Sequence, residues 1–161
     1  MNAILLLKSQ HLEVSELFER FESSDGRAGK IKIFEQIADA LAVHAAIEEH
    51  KFYPLVRERD TEREIEEAYD EHLEIKKLLV DCMRSTDAPG FDGKVAALKG
   101  AVEHHVAEEQ DELFPKVRRL LDADTLEAIG QLMEAEAATL IEAGEPRKNV
   151  KVALEPPQPN V

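Results

Sequence analysis

A chain of 161 residues is long enough for one domain with a sizeable core. Its wealth of helix formers, the absence of Trp, and the placing of four of its 7 prolines in the last 16 positions point to an all-α body. A formal net charge of −14 argues against nucleic acid and anionic membranes as partners, since phosphates need a basic stripe; it suits a protein that attracts cations. The single cysteine, Cys82, excludes an internal disulfide and fits a reducing compartment, where it reads as a small apolar residue near a helix end. The apolar run Ile4–Leu7 is too short for a signal core and no membrane-spanning run occurs, so a cytoplasmic location is expected.

In chain order, Ile4, Leu7, His11, Val14 or Ser15, Phe18, and Phe21 or Glu22 recur at spacings of three and four, which predicts a helix over 2–23. Ser23–Gly29 is a loop. A second helix is expected from about 30 to 59, with Ile33 or Phe34, Ile37, Leu41, His44, Glu48, Phe52 and Leu55 inward, and Pro54 kinking its last turns away. Thr61 and Glu64 match a capping box ahead of a third helix that runs to about 85. That helix turns Ile65, Ala68 or Tyr69, His72, Ile75, Leu79, and Cys82 or Met83 inward. After the Ser85–Gly90 loop, a fourth helix over 91–121 aligns Val95, Leu98, Val102, His105, Glu109 and Leu113. Asp122–Asp124 breaks the pattern, and a fifth helix covers 124–143 without a histidine. Glu145–Val161 is rich in proline and polar residues, and is expected to be extended or disordered. The architecture predicted is an up-down-up-down four-helix bundle over 1–121, an accessory C-terminal helix over 122–144 and a flexible tail over 145–161.

The chain repeats itself. HAAIEEHKFYP (from His44) and HVAEEQDELFP (from His105) each carry H-x-x-x-E with a proline six residues further on. At the same offset of 61, His11 matches His72. Two equivalent sets result, His11/His44/Glu48 and His72/His105/Glu109. His11 and His44 are equidistant from the first loop, and His72 and His105 from the second, so all six side chains meet at one level of the bundle. A lone inward histidine is more often a hydrogen-bonded core residue than a ligand. Four of them with two carboxylates, on apolar stripes, have a ready physical reason only as a metal site, because a buried unpaired carboxylate is costly. Residues four apart share a helix face, so Glu48 and Glu109 are placed to bridge two metals. Six ligands cannot fill two octahedral ions, which leaves positions for O2, peroxide, NO or water. His50 and His104 fall outside the repeat and read as surface residues; Tyr69, Phe52 and Phe114 read as packing.

At these residues the chain resembles the hemerythrin-like (HHE cation-binding) family, over roughly residues 1–120. The resemblance implies a non-haem di-iron centre, oxo- or hydroxo-bridged, on His11, His44, Glu48, His72, His105 and Glu109; spacing alone also allows manganese or zinc. The oxygen-carrying members use a further histidine four positions from the one on the third helix, where this chain has Ala68 and Lys76. Their last carboxylate is an Asp one position beyond Glu109, where this chain has Gln110. These departures point away from reversible O2 carriage, toward the members implicated in sensing O2, iron, peroxide or nitric oxide. The expected function is binding, sensing or buffering of such species or of iron. The alternative is a peroxide-disproportionating or ferroxidase enzyme, which needs a proton carrier; His104 and Tyr69 are the candidates. A sensor is expected to signal through a protein partner at the fifth helix or the tail.

Overall fold

The computed structural model describes residues 1–154, and every regular element among them is helical. In order these are α1 (Ala3–Ser23), α2 (Arg27–Ile47), α3 (Tyr53–Val56), α4 (Glu62–Met83), α5 (Phe91–Glu108), α6 (Phe114–Leu120), α7 (Ala123–Ala143) and α8 (Arg147–Leu154). A π turn, Glu48–Phe52, joins α2 to α3, and a second, Glu109–Leu113, joins α5 to α6. Each pair therefore makes one continuous rod. α1 packs on α2 and α4 on α5, giving two hairpins in the expected bundle. Among the described residues no helix is long and apolar enough to cross a membrane.

Both π turns begin at a motif glutamate and end just ahead of a Tyr-Pro or Phe-Pro pair. A proline ring clashes with the carbonyl four residues earlier and offers no N–H. The chain absorbs this by widening the preceding turn: Tyr53 N–H bonds Glu48 O, and Phe114 N–H bonds Glu109 O, both i to i+5. Pro54 thus follows an inserted residue. The insertion also changes the inner line. Tyr53 and Val56 are buried, while Leu55, expected inward, is exposed.

The core is cut in two. Val14, Phe18, Phe21, Phe34, Leu79 and Phe91 belong to one apolar cluster near the interhelical loops. Ile4, Leu7, Ile47, Phe52, Ile65 and Phe114 belong to the other. Between the two lies a layer made by His11, His44, Glu48, His72, His105 and Glu109, all buried. The second cluster is covered by α7 through Leu126, Ile129 and Met133. Asp122 caps α7 by accepting from Thr125 N–H. Gly130 lets the chain start cross α7 closely: a Cβ there would meet Met1 O at 1.9 Å.

Two further expectations are corrected. Thr61 makes no capping bond to α4; it is fully buried, donates to Val56 O and accepts from Glu58 N–H, which closes the turn after α3. Residues 147–154, expected extended or disordered, form α8. Asp39 accepts from the Arg147 backbone N–H and pairs with its guanidinium, while Val150 is buried in the first apolar cluster. Tertiary anchoring therefore overrides the polar composition. The rest of the expected tail, 155–161, lies outside the described residues.

Candidate metal centre

Each hairpin delivers two imidazoles and one carboxylate to the polar layer. His44 and Glu48 lie one turn apart at the end of α2, and His105 and Glu109 likewise at the end of α5. α1 supplies His11 and α4 supplies His72. The ligand atoms fall into two groups: His11, His44, Glu48 and Glu109 in one, and Glu48, His72 and His105 in the other. Glu48 belongs to both. Its Oε1 lies 2.5 Å from His44 Nε2 and its Oε2 2.9 Å from His72 Nε2. Glu109 Oε1 lies 3.3 Å from Nε2 of both His11 and His105.

The chemistry of these atoms fits a cation. His11 Nε2, His44 Nε2, Glu48 Oε1 and Glu109 Oε1 are buried, and despite their short separations the geometry makes no hydrogen bond among them. Four orphaned acceptors at one point are very costly unless a positive charge serves them. The other group says the same: His72 Nε2 and His105 Nε2 face each other at 3.0 Å. Ligands held about 2.1 Å from a transition-metal ion sit about 3 Å from one another.

The opposite ring nitrogens settle the tautomers. His11 Nδ1 donates to Gln110 Oε1 at 2.9 Å, and His44 Nδ1 to Gln10 Oε1 at 2.7 Å. His72 Nδ1 donates to Glu49 Oε2 at 3.0 Å, and His105 Nδ1 to Glu71 Oε1 at 2.9 Å. With Nδ1 carrying the proton, the neutral form of each ring turns an Nε2 lone pair inward, as a metal ligand must.

Tyr53 closes the layer from below. Its hydroxyl lies 2.5 Å from Glu48 Oε2, 2.8 Å from Glu109 Oε2 and 3.2 Å from His72 Nε2. One phenol proton serves one acceptor at a time, so three acceptors around it again outnumber the donors. Burial, and then the charges of Glu109 and Glu48, hold the phenol pKa well above its usual value, which keeps the proton on. Electrostatics across the layer run the same way. Burial pushes Glu48 up, but His44, His105 and His72 outweigh it and hold the carboxyl well below its usual range. Glu109, pushed up by burial and by Glu48, is drawn down to about 2 by His105 and His11. Burial pulls His11, His72 and His105 down, yet the adjacent carboxylates raise all three. The layer holds two ionised carboxylates and demands positive charge, whether as protons or as a metal.

All six residues singled out by the repeat meet here. His50 is exposed and faces Glu136 of α7; His104 is exposed beside Glu71 and Glu108. Tyr69, a candidate proton carrier, donates to Glu49 O, and Cys82 is buried, its thiol pushed up to about 11 by burial and by Asp81. The hydroxyl actually at the site is that of Tyr53, which a constant helical period places off the inner line. Also missed were the four side chains behind the imidazoles. Each adjoins a motif residue: Gln10 and Glu71 precede His11 and His72, and Glu49 and Gln110 follow Glu48 and Glu109. That placement in both copies was the available signal.

A helical bundle holding two interlocked His/Glu sets defines a cation-binding class, and the chain belongs to it: the hemerythrin HHE cation-binding domain family matches residues 2–117. Among individual proteins, the chain is 34% identical over 128 residues to a DNA nickase from Nostoc sp., a match covering 79% of this chain and 36% of the relative. The chain thus spans just over a third of that relative's length. Its fold is similar to that of a hemerythrin HHE cation-binding domain-containing protein from Mycobacterium kansasii, with a TM-score of 0.79 and 21% identity, covering 96% of this chain and 99% of the other.

Proposed function

We propose that this protein holds two iron ions at the centre and there binds, senses or buffers O2, peroxide, nitric oxide or iron. The observation that carries this reading is the pair of ligand groups sharing Glu48, each with its own two inward imidazoles. A cavity of about 30 Å³ supports it; the four histidines line it together with Val14, Leu41, Ile75 and Val102. That volume takes a water-sized or diatomic molecule and excludes an organic substrate. Bound iron supplies redox change and an open position; the same donors also accept manganese or zinc. The chain's own part is to orient the imidazoles through their Nδ1 partners, to span both positions with Glu48, to complete one of them with Glu109, and to keep bulk water out with an apolar wall. For the Nostoc relative's nicking there is no counterpart in these features, and a net charge of −14 opposes a phosphate backbone.

Tyr53 favours a second reading, disproportionation of peroxide, in which two H2O2 give O2 and two H2O. That reaction moves protons between oxygens. The Tyr53 hydroxyl, within 2.8 Å of both carboxylates, is a buried proton holder in the right place. The test is metal analysis and an absorption spectrum of protein from iron-replete cells, before and after peroxide, with O2 evolution followed on the same sample. Two irons per chain with a spectrum that responds to peroxide, and no sustained O2 release, support the binding reading. Sustained O2 release that Tyr53→Phe abolishes supports the enzyme. Iron-free protein that takes up none on reconstitution overturns both.

A further inference from the structure

The repeat is faithful at its ligands and unfaithful directly behind them. His11 and His44 lean on the neutral amides of Gln110 and Gln10. Their counterparts His72 and His105 lean on the carboxylates of Glu49 and Glu71. Under the 61-residue offset Gln10 corresponds to Glu71 and Gln110 to Glu49, so each support kept its place and changed its charge. A carboxylate polarises an imidazole N–H more than an amide oxygen does. It makes the far nitrogen a stronger donor to a cation and adds negative charge behind the ring. The ligand carboxylates do not cancel this difference: Glu48 is shared by both groups, and Glu109, though grouped with His11 and His44, lies as close to His105 as to His11. Glu48 gives Oε1 to His44 and Oε2 to His72. Glu109 Oε1 is level between His11 and His105, and its Oε2 accepts from the Tyr53 hydroxyl. Lys76 holds Glu49 at 2.8 Å and offsets part of that charge. Among the described residues, Glu71 pairs with His104 besides His105. The stronger support is therefore the one behind His105.

We infer that the two halves of the centre hold their ions unequally: the half built on His72 and His105 binds more tightly, and the half built on His11 and His44 is the exchangeable one. Glu71 and Glu49 are positioning residues that set this difference. The inference rests on the two-iron reading above. An exchangeable half is where iron enters and leaves, while the other keeps the bundle together.

The test is iron release. Chain loaded anaerobically with Fe(II) is mixed with a coloured ferrous chelator, and release is followed in time. Two phases of one ion each are expected. Glu71→Gln, which keeps size and shape, speeds the slow phase about 10- to 100-fold, the usual effect of removing such a support, and leaves the fast phase unchanged. Gln10→Glu slows the fast phase alone. Two ions leaving in a single phase, or Glu71→Gln speeding the fast phase only, overturns the inference and leaves the two-iron reading standing. A total of one ion or none overturns that reading and the inference with it. Unchanged helical circular dichroism separates either result from misfolding, which would speed both phases together.

Discussion

The first hairpin, α1 to α3, and the second, α4 to α6, present the same ligands from the same places, yet they are not interchangeable. Both bring a histidine from the first rod and a His/Glu pair from the second, and both widen into a π turn at the glutamate. Behind and below the ligands they diverge. Tyr53 of the first hairpin reaches Glu48 and Glu109, while its counterpart Phe114 stacks on His11 with ring centroids 6.0 Å apart. The likeness builds two groups of ligand atoms; the unlikeness gives those groups different surroundings.

The sharpest break of the comparison is at the glutamates. Glu48 contacts imidazoles of both hairpins, so Glu48→Ala should empty the centre, whereas Glu109→Ala should keep about one ion, since removing a ligand from one position leaves the other formed. Metal analysis of the two variants decides this, and equal losses would contradict it. Next is Tyr53→Phe, which leaves carboxylate oxygens without their donor and should lower the stability of metal-free protein by about 1–3 kcal/mol in denaturant titration. The reverse change, Phe114→Tyr, should not restore the missing bond.

pH separates the two forms. In metal-free protein His11, His72 and His105 have raised pKa values, so their contribution is complete below the unfolded value of about 6.5 and is lost as pH rises through the folded values. Glu48 and Glu109 are lowered, so theirs is complete above about 4.5 and is lost as pH falls, through about 2 for Glu109. Metal-free protein should therefore be most stable between about 4.5 and 6.5 and should weaken above that window. Metal competes with protons for the same nitrogens, so the loaded form should gain over the metal-free form as pH rises. Thermal midpoints of both forms across pH test this; parallel curves would refute it. A smaller effect concerns α8, which packs on α2 and α4, one rod of each hairpin. Val150→Ala should cost about 1–2 kcal/mol on buried area, with metal content unchanged. Last, His50→Ala should change neither, because His50 lies outside both ligand groups.

Much of this was legible in the sequence, for a physical reason. An inward line at 3.6-residue spacing reveals which residues share the core face, and a repeat reveals which lines come level. His11, His44, Glu48, His72, His105 and Glu109 all follow from these two facts. Tyr53 does not, because the π turn inserts a residue into the count, and only the later proline hints at it. Gln10, Glu49, Glu71 and Gln110 look like any solvated helix face, since nothing local distinguishes a side chain that bends back toward an imidazole. Helix α8 was hidden for the opposite reason: its order comes from Asp39, more than a hundred residues away.

The crossing of the glutamates has a consequence for unfolding. Glu48 of the first hairpin completes a group with His72 and His105, and Glu109 of the second completes one with His11 and His44. An ion held in either group would therefore cross-link the two hairpins, in addition to the apolar packing between them. A covalent cross-link closing a loop of some sixty residues removes on the order of 4 kcal/mol of chain entropy from the unfolded ensemble, and an ion acts alike while it stays. With ions bound, parting the hairpins would require their release as well as the opening of both apolar clusters, so the lifetime of the folded chain against heat or protease should lengthen as metal exchange slows.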